Sequence, residues 1–134
     1  MNDAPVTTSI APWMAVGDGA RAVEHYREVL GAVVAYRLDG DDGKVLVARL
    51  EIDGAAFWVS EDPDHSPQAR GPGSVRMILV VDDPDGRFER AVAAGAIPVA
   101  PVEEAHGWRT GRITDGFGYD WELSRPVAPE PDPE

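Results

Sequence analysis

The chain has 134 residues, of which 43% are hydrophobic and 27% are charged, so its composition is that of an ordinary globular protein. The formal net charge of −12 at pH 7 disfavours attraction to nucleic acid and to anionic membranes, so neither is expected as a partner. Cysteine is absent, which excludes disulfides and thiolate metal ligands. The N-terminus lacks the pattern of a secretory signal peptide, and the expected location is the cytoplasm.

An internal repeat divides the chain into two halves. Five positions of the first half correspond, at nearly the same spacing, to five of the second, and four of the pairs are identical: Val16, Asp18, Val23, Glu24 and Gly31, then Val81, Asp83, Phe88, Glu89 and Gly95. In both copies an apolar strand leads to an aspartate that can cap a helix, then to a helix and a glycine that ends it. The apolar stripes of the two helices are predicted to be Val23, Tyr26 and Leu30, and Phe88, Val92 and Gly95.

Three strand-like segments follow each helix, so each half is predicted to be a βαβββ module. The segments are 32–38, 44–52 and 55–60 in the first half, and 97–103, 109–114 and 120–124 in the second. The modules are predicted to span residues 7–61 and 74–125. A segment rich in Pro, Asp and Gly at 62–73 is the predicted linker, and the Pro-rich, acidic tail at 126–134 is predicted to be disordered.

Side chains alternate between the two faces of a strand, so each strand contributes to two separate faces. One face is apolar and is expected to lie beneath the helices: Ile10, Met14, Val16, Phe57, Val59, Val75, Met77, Leu79, Val81, Trp121 and Leu123. The other face mixes aromatic and charged side chains: Ala11, Trp13, Ala15, Ala56, Trp58, Ser60, Arg76, Ile78, Val80, Asp120, Glu122 and Ser124. We expect this second face to line a cleft, because buried charge is costly unless it is paired or solvated.

Two segments resemble the opening strand-helix and the closing hairpin of a known family: IAPWMAVGDGARAVEHYREVLGA at 10–32 and WRTGRITDGFGYDWEL at 108–123. The family is the glyoxalase, bleomycin-resistance and dioxygenase superfamily, also called vicinal oxygen chelate, and the subgroup is PhnB-like. The resemblance covers roughly residues 7–125. It implies an α+β fold in which two paired βαβββ modules form a curved mixed sheet around a cleft. It also implies a homodimer, since relatives close this cleft by pairing modules within or between chains.

Metal-dependent members of the superfamily carry one ligand, usually His, Glu or Gln, on each of four strands. The corresponding positions here are Ala11, Trp58, Arg76 and Glu122, which supply one carboxylate and one cation. A divalent ion needs several oxygen, nitrogen or sulfur donors and is repelled by a guanidinium. We therefore expect no metal and no other cofactor, and glyoxalase, epimerase or dioxygenase chemistry cannot be transferred directly.

Five residues are the candidate ligand-binding set. Arg76 and Glu122 are predicted to form a charge-assisted pair on the cleft floor, which either fills the former metal site structurally or contacts a ligand. Trp13 and Trp58 suit stacking on an aromatic or cationic ligand, or simply pack the cleft. Trp108, in the loop before a strand, is expected to cap the cleft mouth or to contact a second chain.

The three histidines and one turn complete the candidates. His25 is predicted to lie on an exposed side of the first helix, and His65 and His106 lie in loops, where a solvated imidazole is common. The segment Asp115–Gly118 resembles the subgroup's Asp-Pro-Phe-Gly turn, with Gly116 in place of proline, and is interpreted as turn chemistry.

The sequence favours a metal-free protein that sequesters or carries a small molecule, partly aromatic and partly polar, such as an antibiotic or a metabolite. The alternative is an enzyme of the same superfamily, a lyase, isomerase or dioxygenase-like protein with a non-standard or absent metal site. Such an enzyme would use His106, or acid-base chemistry by Glu122 with Arg76. A third hypothesis is a structural or regulatory homodimer whose cleft is filled. The sequence leaves open whether any reaction is catalysed.

Overall fold

The computed structural model describes residues 8–65 and 75–127, and the remaining parts of the predicted linker and tail lie outside these ranges. The elements in chain order are β1 Trp13–Val16, α1 Gly19–Leu30, β2 Val33–Asp39, β3 Val45–Ile52, β4 Ala55–Glu61, β5 Arg76–Val80, α2 Pro84–Ala93, β6 Ile97–Ala105, β7 Trp108–Thr114 and β8 Asp120–Pro126. A short 3-10 turn at Asp41–Gly43 joins β2 to β3. The βαβββ order predicted for each half is confirmed. Neither helix of the described chain is long and apolar enough to span a bilayer.

Each module forms a four-stranded mixed sheet. The strand order is β1-β4-β3-β2 in the first sheet and β5-β8-β7-β6 in the second. The strand that precedes each helix runs parallel to the last strand of its module, and the other neighbours are antiparallel. A parallel pair needs a crossover connection, and the helix of each module supplies part of it. The predicted α+β fold class is therefore confirmed, with four strands in each module.

Both helices begin at the predicted aspartates. The carboxylate of Asp18 accepts a hydrogen bond from the Arg21 amide at 3.1 Å, and that of Asp83 accepts one from the Gly86 amide at 3.0 Å. Each cap satisfies a helical N–H that has no partner within the helix. At the end of α1, Gly31 has the left-handed φ of 70° that the prediction required.

The core lies between the helices and the inner faces of the sheets. Nine residues predicted to face the helices are buried: Met14, Val16, Phe57, Val59, Met77, Leu79, Val81, Trp121 and Leu123. The prediction is wrong for Ile10 and Val75, which are 98% and 62% exposed. Both precede the first residue of a strand, so strand alternation does not fix their direction.

The two helices differ in how well their apolar stripes match the prediction. On α1 the predicted stripe is buried throughout. On α2, Phe88 and Val92 are only partly buried against the core, and Gly95 is exposed. The prediction is wrong at Gly95 because α2 ends at Ala93 and Ala94 caps it, which leaves Gly95 in the turn that follows.

The modules contact each other through α1 and α2. Two arginines of α2 donate hydrogen bonds to carbonyls at the C-terminal end of α1: Arg87 to Leu30 at 3.1 Å and Arg90 to Arg27 at 3.2 Å. These carbonyls lie in the last turn of α1, where the cations complement the negative end of the helix dipole. The helix pair thus joins the modules on the inner side of both sheets.

Candidate functional site

The outer face of the first sheet carries an aromatic platform, which we define as Trp13, Trp58 and Tyr36. Trp13 on β1 is in parallel register with Trp58 on β4, and their rings stack with centroids 5.8 Å apart and planes 25° apart. The Tyr36 ring lies 6.0 Å from that of Trp58 at a steep angle. Trp13 is 60% and Tyr36 49% exposed, so the platform offers flat apolar surface to solvent.

Charge on the platform is locally balanced. Arg49 on β3 is in register with both Trp58 and Tyr36, so its side chain belongs to the platform face. Its guanidinium lies 3.3 Å from the carboxylate of Glu51, two residues along the same strand. The platform therefore combines ring surface with a neutralised ion pair.

The outer face of the second sheet carries the ion pair predicted from the sequence. Nε of Arg76 on β5 lies 2.5 Å from Oε2 of Glu122 on the parallel neighbour β8. The Arg76 side chain is 46% exposed and that of Glu122 is 18% exposed. The pair is thus present and partly solvated, while its contact with a ligand stays a prediction.

Trp108 lies on the same face as this pair. It is the first residue of β7, so its predicted position in the preceding loop is wrong. The hairpin extends further than expected, because residues with positive φ, His106 at 55° and Gly107 at 83°, allow a two-residue turn that pairs Trp108 with Ala105. Trp108 is 42% exposed and, with Glu122 among others, lines a cavity of about 210 Å³.

Arg112 also lines this cavity and was missed by the sequence reasoning. It lies opposite Glu122 in the antiparallel β7–β8 pair. Its Nε is buried, and within the described residues that atom has no hydrogen-bond partner. Alternation along β7 from Trp108 through Thr110 would have placed Arg112 on this face.

The five predicted site residues divide between the two outer faces. Trp13 and Trp58 lie on the first sheet, and Arg76, Trp108 and Glu122 lie on the second. Among residues 8–65 and 75–127, no hydrogen bond, ion pair or ring contact joins the two sets. An apolar groove of about 450 Å³ lies between the modules, lined by residues 10–12, 55–57 and 75–79 among others. A single chain therefore holds two partial sites.

Ser124 differs from its predicted role on the cleft face. It is 1% exposed, and its hydroxyl lies 3.0 Å from that of Thr110 on β7. The residue therefore bonds across the two strands and offers little surface to a ligand.

The turn that begins at Asp115 does more than reverse the chain. Its buried carboxylate accepts four hydrogen bonds, from the amides of Phe117 and Tyr119 on Oδ1, and from the Tyr26 hydroxyl and the Trp121 indole on Oδ2. Tyr26 belongs to α1, so this one carboxylate connects the two modules. The interpretation as turn chemistry was correct for the amides and missed the contact with α1.

His25 also connects α1 to this turn, and its predicted exposed position is wrong. The side chain is half-buried, its Nε2 accepts a hydrogen bond from the Gly116 amide at 2.9 Å, and its ring packs edge-on against Phe117. Burial lowers the pKa of His25 below its ordinary value, with the nearby Asp115 carboxylate opposing that shift. The neutral imidazole is the form that can accept this hydrogen bond.

The other two histidines lie in loops, as predicted. The His65 ring stacks on that of Tyr119 at 5.9 Å, and its Nε2 is buried with no hydrogen-bond partner in the described chain. His106 is exposed in the β6–β7 turn.

The side chains present do not fit the metal site of metal-dependent relatives. Of the four corresponding positions, Ala11 and Trp58 have no suitable donor, and the carboxylate of Glu122 is bonded to Arg76. Within the described residues, no group of three or more His, Asp or Glu side chains is placed to hold a metal ion.

Comparison with known proteins places this geometry in a family. The model of the Glyoxalase/Bleomycin resistance protein/Dioxygenase superfamily matches residues 7–123. The chain belongs to this superfamily. Two proteins of similar sequence are described only as uncharacterized proteins. One, from Mycobacterium tuberculosis strain H37Rv, is 34% identical over 130 residues, which cover 91% of this chain and 76% of the relative. The other, from Mycobacterium bovis, has the same identity and is covered to 86%.

Solved structures of other proteins share the fold. TioX from Micromonospora sp. ML1 is 28% identical, with a TM-score of 0.73 over 90% of this chain and 100% of its own. The fosfomycin resistance protein FosX from Listeria monocytogenes is 15% identical, with a TM-score of 0.70 over 92% of this chain and 96% of its own. At 15% identity the likeness to FosX concerns the fold alone.

Proposed function

We propose that the chain is a metal-free member of the superfamily that binds, and thereby sequesters or carries, a small molecule with a planar aromatic part and a polar part. The observation that carries this proposal is the solvent-facing stack of Trp13 on Trp58. Contiguous exposed aromatic surface marks a binding face, and flat rings suit stacking on another ring system. The superfamily includes bleomycin resistance proteins, which gives a precedent for the function.

The metal-free part of the proposal is supported by the donor set. Glu122 is the one carboxylate at the four corresponding positions, and a guanidinium 2.5 Å away already neutralises it. Replacing that pair by a metal ion would leave the Arg76 cation beside the metal, which is electrostatically unfavourable.

The enzymatic alternative is less well supported. Glu122 would have to act as a base while its carboxylate is held by Arg76, and His106 lies exposed in a turn with positive φ. Binding without chemistry needs none of these groups.

Arg76, Trp108, Arg112 and Glu122, on the outer face of the second sheet, are called the second-sheet site. We further propose that the protein forms a homodimer in which the platform of one protomer faces the second-sheet site of its partner. No contact among the described residues joins the two partial sites of one chain. The outer faces and edge strands also leave large apolar side chains exposed: Val33, Tyr36, Leu38, Ile78, Val80, Ile97 and Val99. Exposed apolar surface of this kind favours association. The groove between the modules, with Val75 at 62% exposure, offers further surface to a second copy.

The PhnB-like subgroup is likewise a proposal. It is supported by the closing hairpin, where the Asp115 turn and the following Trp121 match the pattern that suggested the subgroup.

The experiment that tests the proposed function is a binding titration with planar aromatic compounds. Trp13→Ala and Trp58→Ala should each weaken binding at least tenfold, because each removes half of the stacking surface. Leu46→Ala is the matched control, since Leu46 is an exposed apolar residue of the same sheet that lies outside the platform. Equal affinity in all three variants would contradict the proposal.

A further inference from the structure

We propose that Arg112 is the anion-binding residue of the second-sheet site, and that it takes the carboxylate of a small organic acid whose apolar body lies against Trp108. This inference rests on the proposed function, because it names the chemistry of one part of the same ligand site. It adds Arg112 to the candidate set, in which Arg76 was the predicted cation of the cleft floor.

Arg112 differs from most other arginines of the described chain in its lack of a partner. Six of those arginines pair with a carboxylate: Arg27, Arg37, Arg49, Arg76, Arg87 and Arg109. Arg90 and Arg125 donate to backbone carbonyls, and the guanidinium of Arg21 lies over the ring of Phe117. Within the described residues, Arg112 has neither a hydrogen-bond acceptor for its buried Nε nor a carboxylate at ion-pair distance.

An unpartnered buried donor on a charged group is unfavourable in the free protein. The cost is offset when a bound group supplies the missing acceptor. A carboxylate suits this role, because its two oxygens match the fork of a guanidinium. The position of Arg112 in the wall of the cavity gives such a group access to the guanidinium.

The charges around Arg112 leave room for an added anion. Glu122 lies opposite Arg112, but its charge is compensated by Arg76 at 2.5 Å. Asp120 accepts a hydrogen bond from the Thr114 hydroxyl, and Glu103 at the cavity rim is exposed to water. Among the residues that line the cavity, Arg112 is the one cation, and within the described chain no carboxylate lies at ion-pair distance from it.

The cavity limits the size of the acid. Its volume is about 210 Å³, and a water molecule takes about 30 Å³ in the liquid, so the space holds on the order of seven waters. An acid of about ten non-hydrogen atoms fits this space. Trp108, 42% exposed, supplies an apolar wall that inorganic phosphate cannot use and that a ring or short alkyl chain can.

The test is a calorimetric titration of the full chain with benzoate, with benzylamine and inorganic phosphate as comparison probes. We expect benzoate to bind more tightly than either probe, and Arg112→Gln to weaken benzoate at least tenfold. Arg27→Gln, which removes an exposed guanidinium of α1 that belongs to neither outer face, should leave benzoate binding unchanged. Undiminished benzoate binding by Arg112→Gln, or phosphate binding as tight as that of benzoate, would overturn the assignment.

A stability measurement separates binding from a structural role. Arg112→Met removes the unpartnered donor, so the melting temperature of the unliganded variant should equal or exceed that of the parent. A lower melting temperature, or loss of the dimer on light scattering, would show that Arg112 serves the fold or a partner's carboxylate, and would overturn the proposal. Benzoate failing to bind while platform ligands still bind would refute this inference and leave the proposed function standing.

Discussion

At the residue scale, the Asp115 carboxylate holds together groups that are far apart in the chain. Asp115→Asn replaces one acceptor oxygen by an NH₂ group that faces two donors. Losing two hydrogen bonds to a buried charged acceptor, at about 1.5–3 kcal/mol each, should lower the free energy of unfolding by about 3–6 kcal/mol. Urea denaturation measures this loss. Asp120→Asn, at a half-buried carboxylate that accepts one hydrogen bond from Thr114, is the control and should change much less.

Breaking the Arg76–Glu122 pair, unlike changing Asp115, is expected to have little effect on the free energy of unfolding. With the Arg76 side chain 46% exposed, the pair belongs with solvated ion pairs, and Arg76→Ala should cost about 1 kcal/mol or less. Thermal or urea denaturation of the unliganded protein measures this. A loss of about 3–5 kcal/mol, recovered when Arg76→Met is combined with Glu122→Leu, would instead identify a buried structural pair.

The sequence reveals these residues to different degrees. The Arg76–Glu122 pair follows from strand alternation and the internal repeat, both of which are local patterns. Arg112 was open to the same reasoning, and it was missed because β7 was not divided into faces. The contacts of Asp115 with Tyr26 and of Gly116 with His25 join residues 89 and 91 positions apart. They depend on how the modules pack, which no local pattern specifies.

At the scale of elements, His25 makes the contact between α1 and the β7–β8 turn sensitive to pH. Burial depresses its pKa in the folded protein, so below pH 6.5 the unfolded chain binds the proton more readily than the folded one. The stabilisation is complete above pH 6.5 and is lost as the pH falls through the folded-state pKa. The cause is that protonated His25 cannot accept from the Gly116 amide.

A substitution isolates this effect from other acid-dependent changes. His25→Gln keeps an acceptor for Gly116 without titrating, so the melting temperature of the variant should fall less than that of the parent between pH 7 and pH 5. Differential scanning calorimetry at several pH values measures the difference. Parallel pH profiles for the two proteins would refute the role of His25.

The elements themselves were largely predictable. Asp18 and Asp83 correctly predicted where the two helices begin. The Asp53-Gly54 turn, with φ of 50° and 87°, joins β3 to β4 as expected. The β6–β7 hairpin was harder, because its turn at His106 and Gly107 lacks the usual Asn-Gly or Asp-Gly signal. The missing signal explains why Trp108 was assigned to a loop.

At the scale of the whole molecule, the separation of the two outer faces predicts assembly. A homodimer would cover exposed apolar residues such as Ile78, at 64%, and bring a platform opposite a second-sheet site. Size-exclusion chromatography with light scattering should give twice the 14.4 kDa mass of the chain at micromolar concentration. A monomer under those conditions would contradict it.

The internal repeat made the fold of each module predictable from the sequence. The way in which the outer faces of the two modules are placed relative to each other could not be predicted from it. Both modules contain the same pattern of strand, cap and helix, so the βαβββ architecture follows from either copy. Whether Trp58 and Arg76 share one cleft depends on which modules face each other. Within one chain the modules contact each other through α1, α2 and the Asp115 turn, on the opposite side of the sheets.

The most direct test of metal-free binding is native mass spectrometry of EDTA-treated protein with a panel of planar aromatic compounds, some of them carboxylates. We expect less than one equivalent of Zn, Ni, Fe or Mn before treatment, an unchanged melting temperature after it, and stoichiometric retention of at least one compound, which the Trp13→Ala variant loses. Retention that appears only when a divalent metal is restored, or a tightly held equivalent of metal, would contradict metal-free binding.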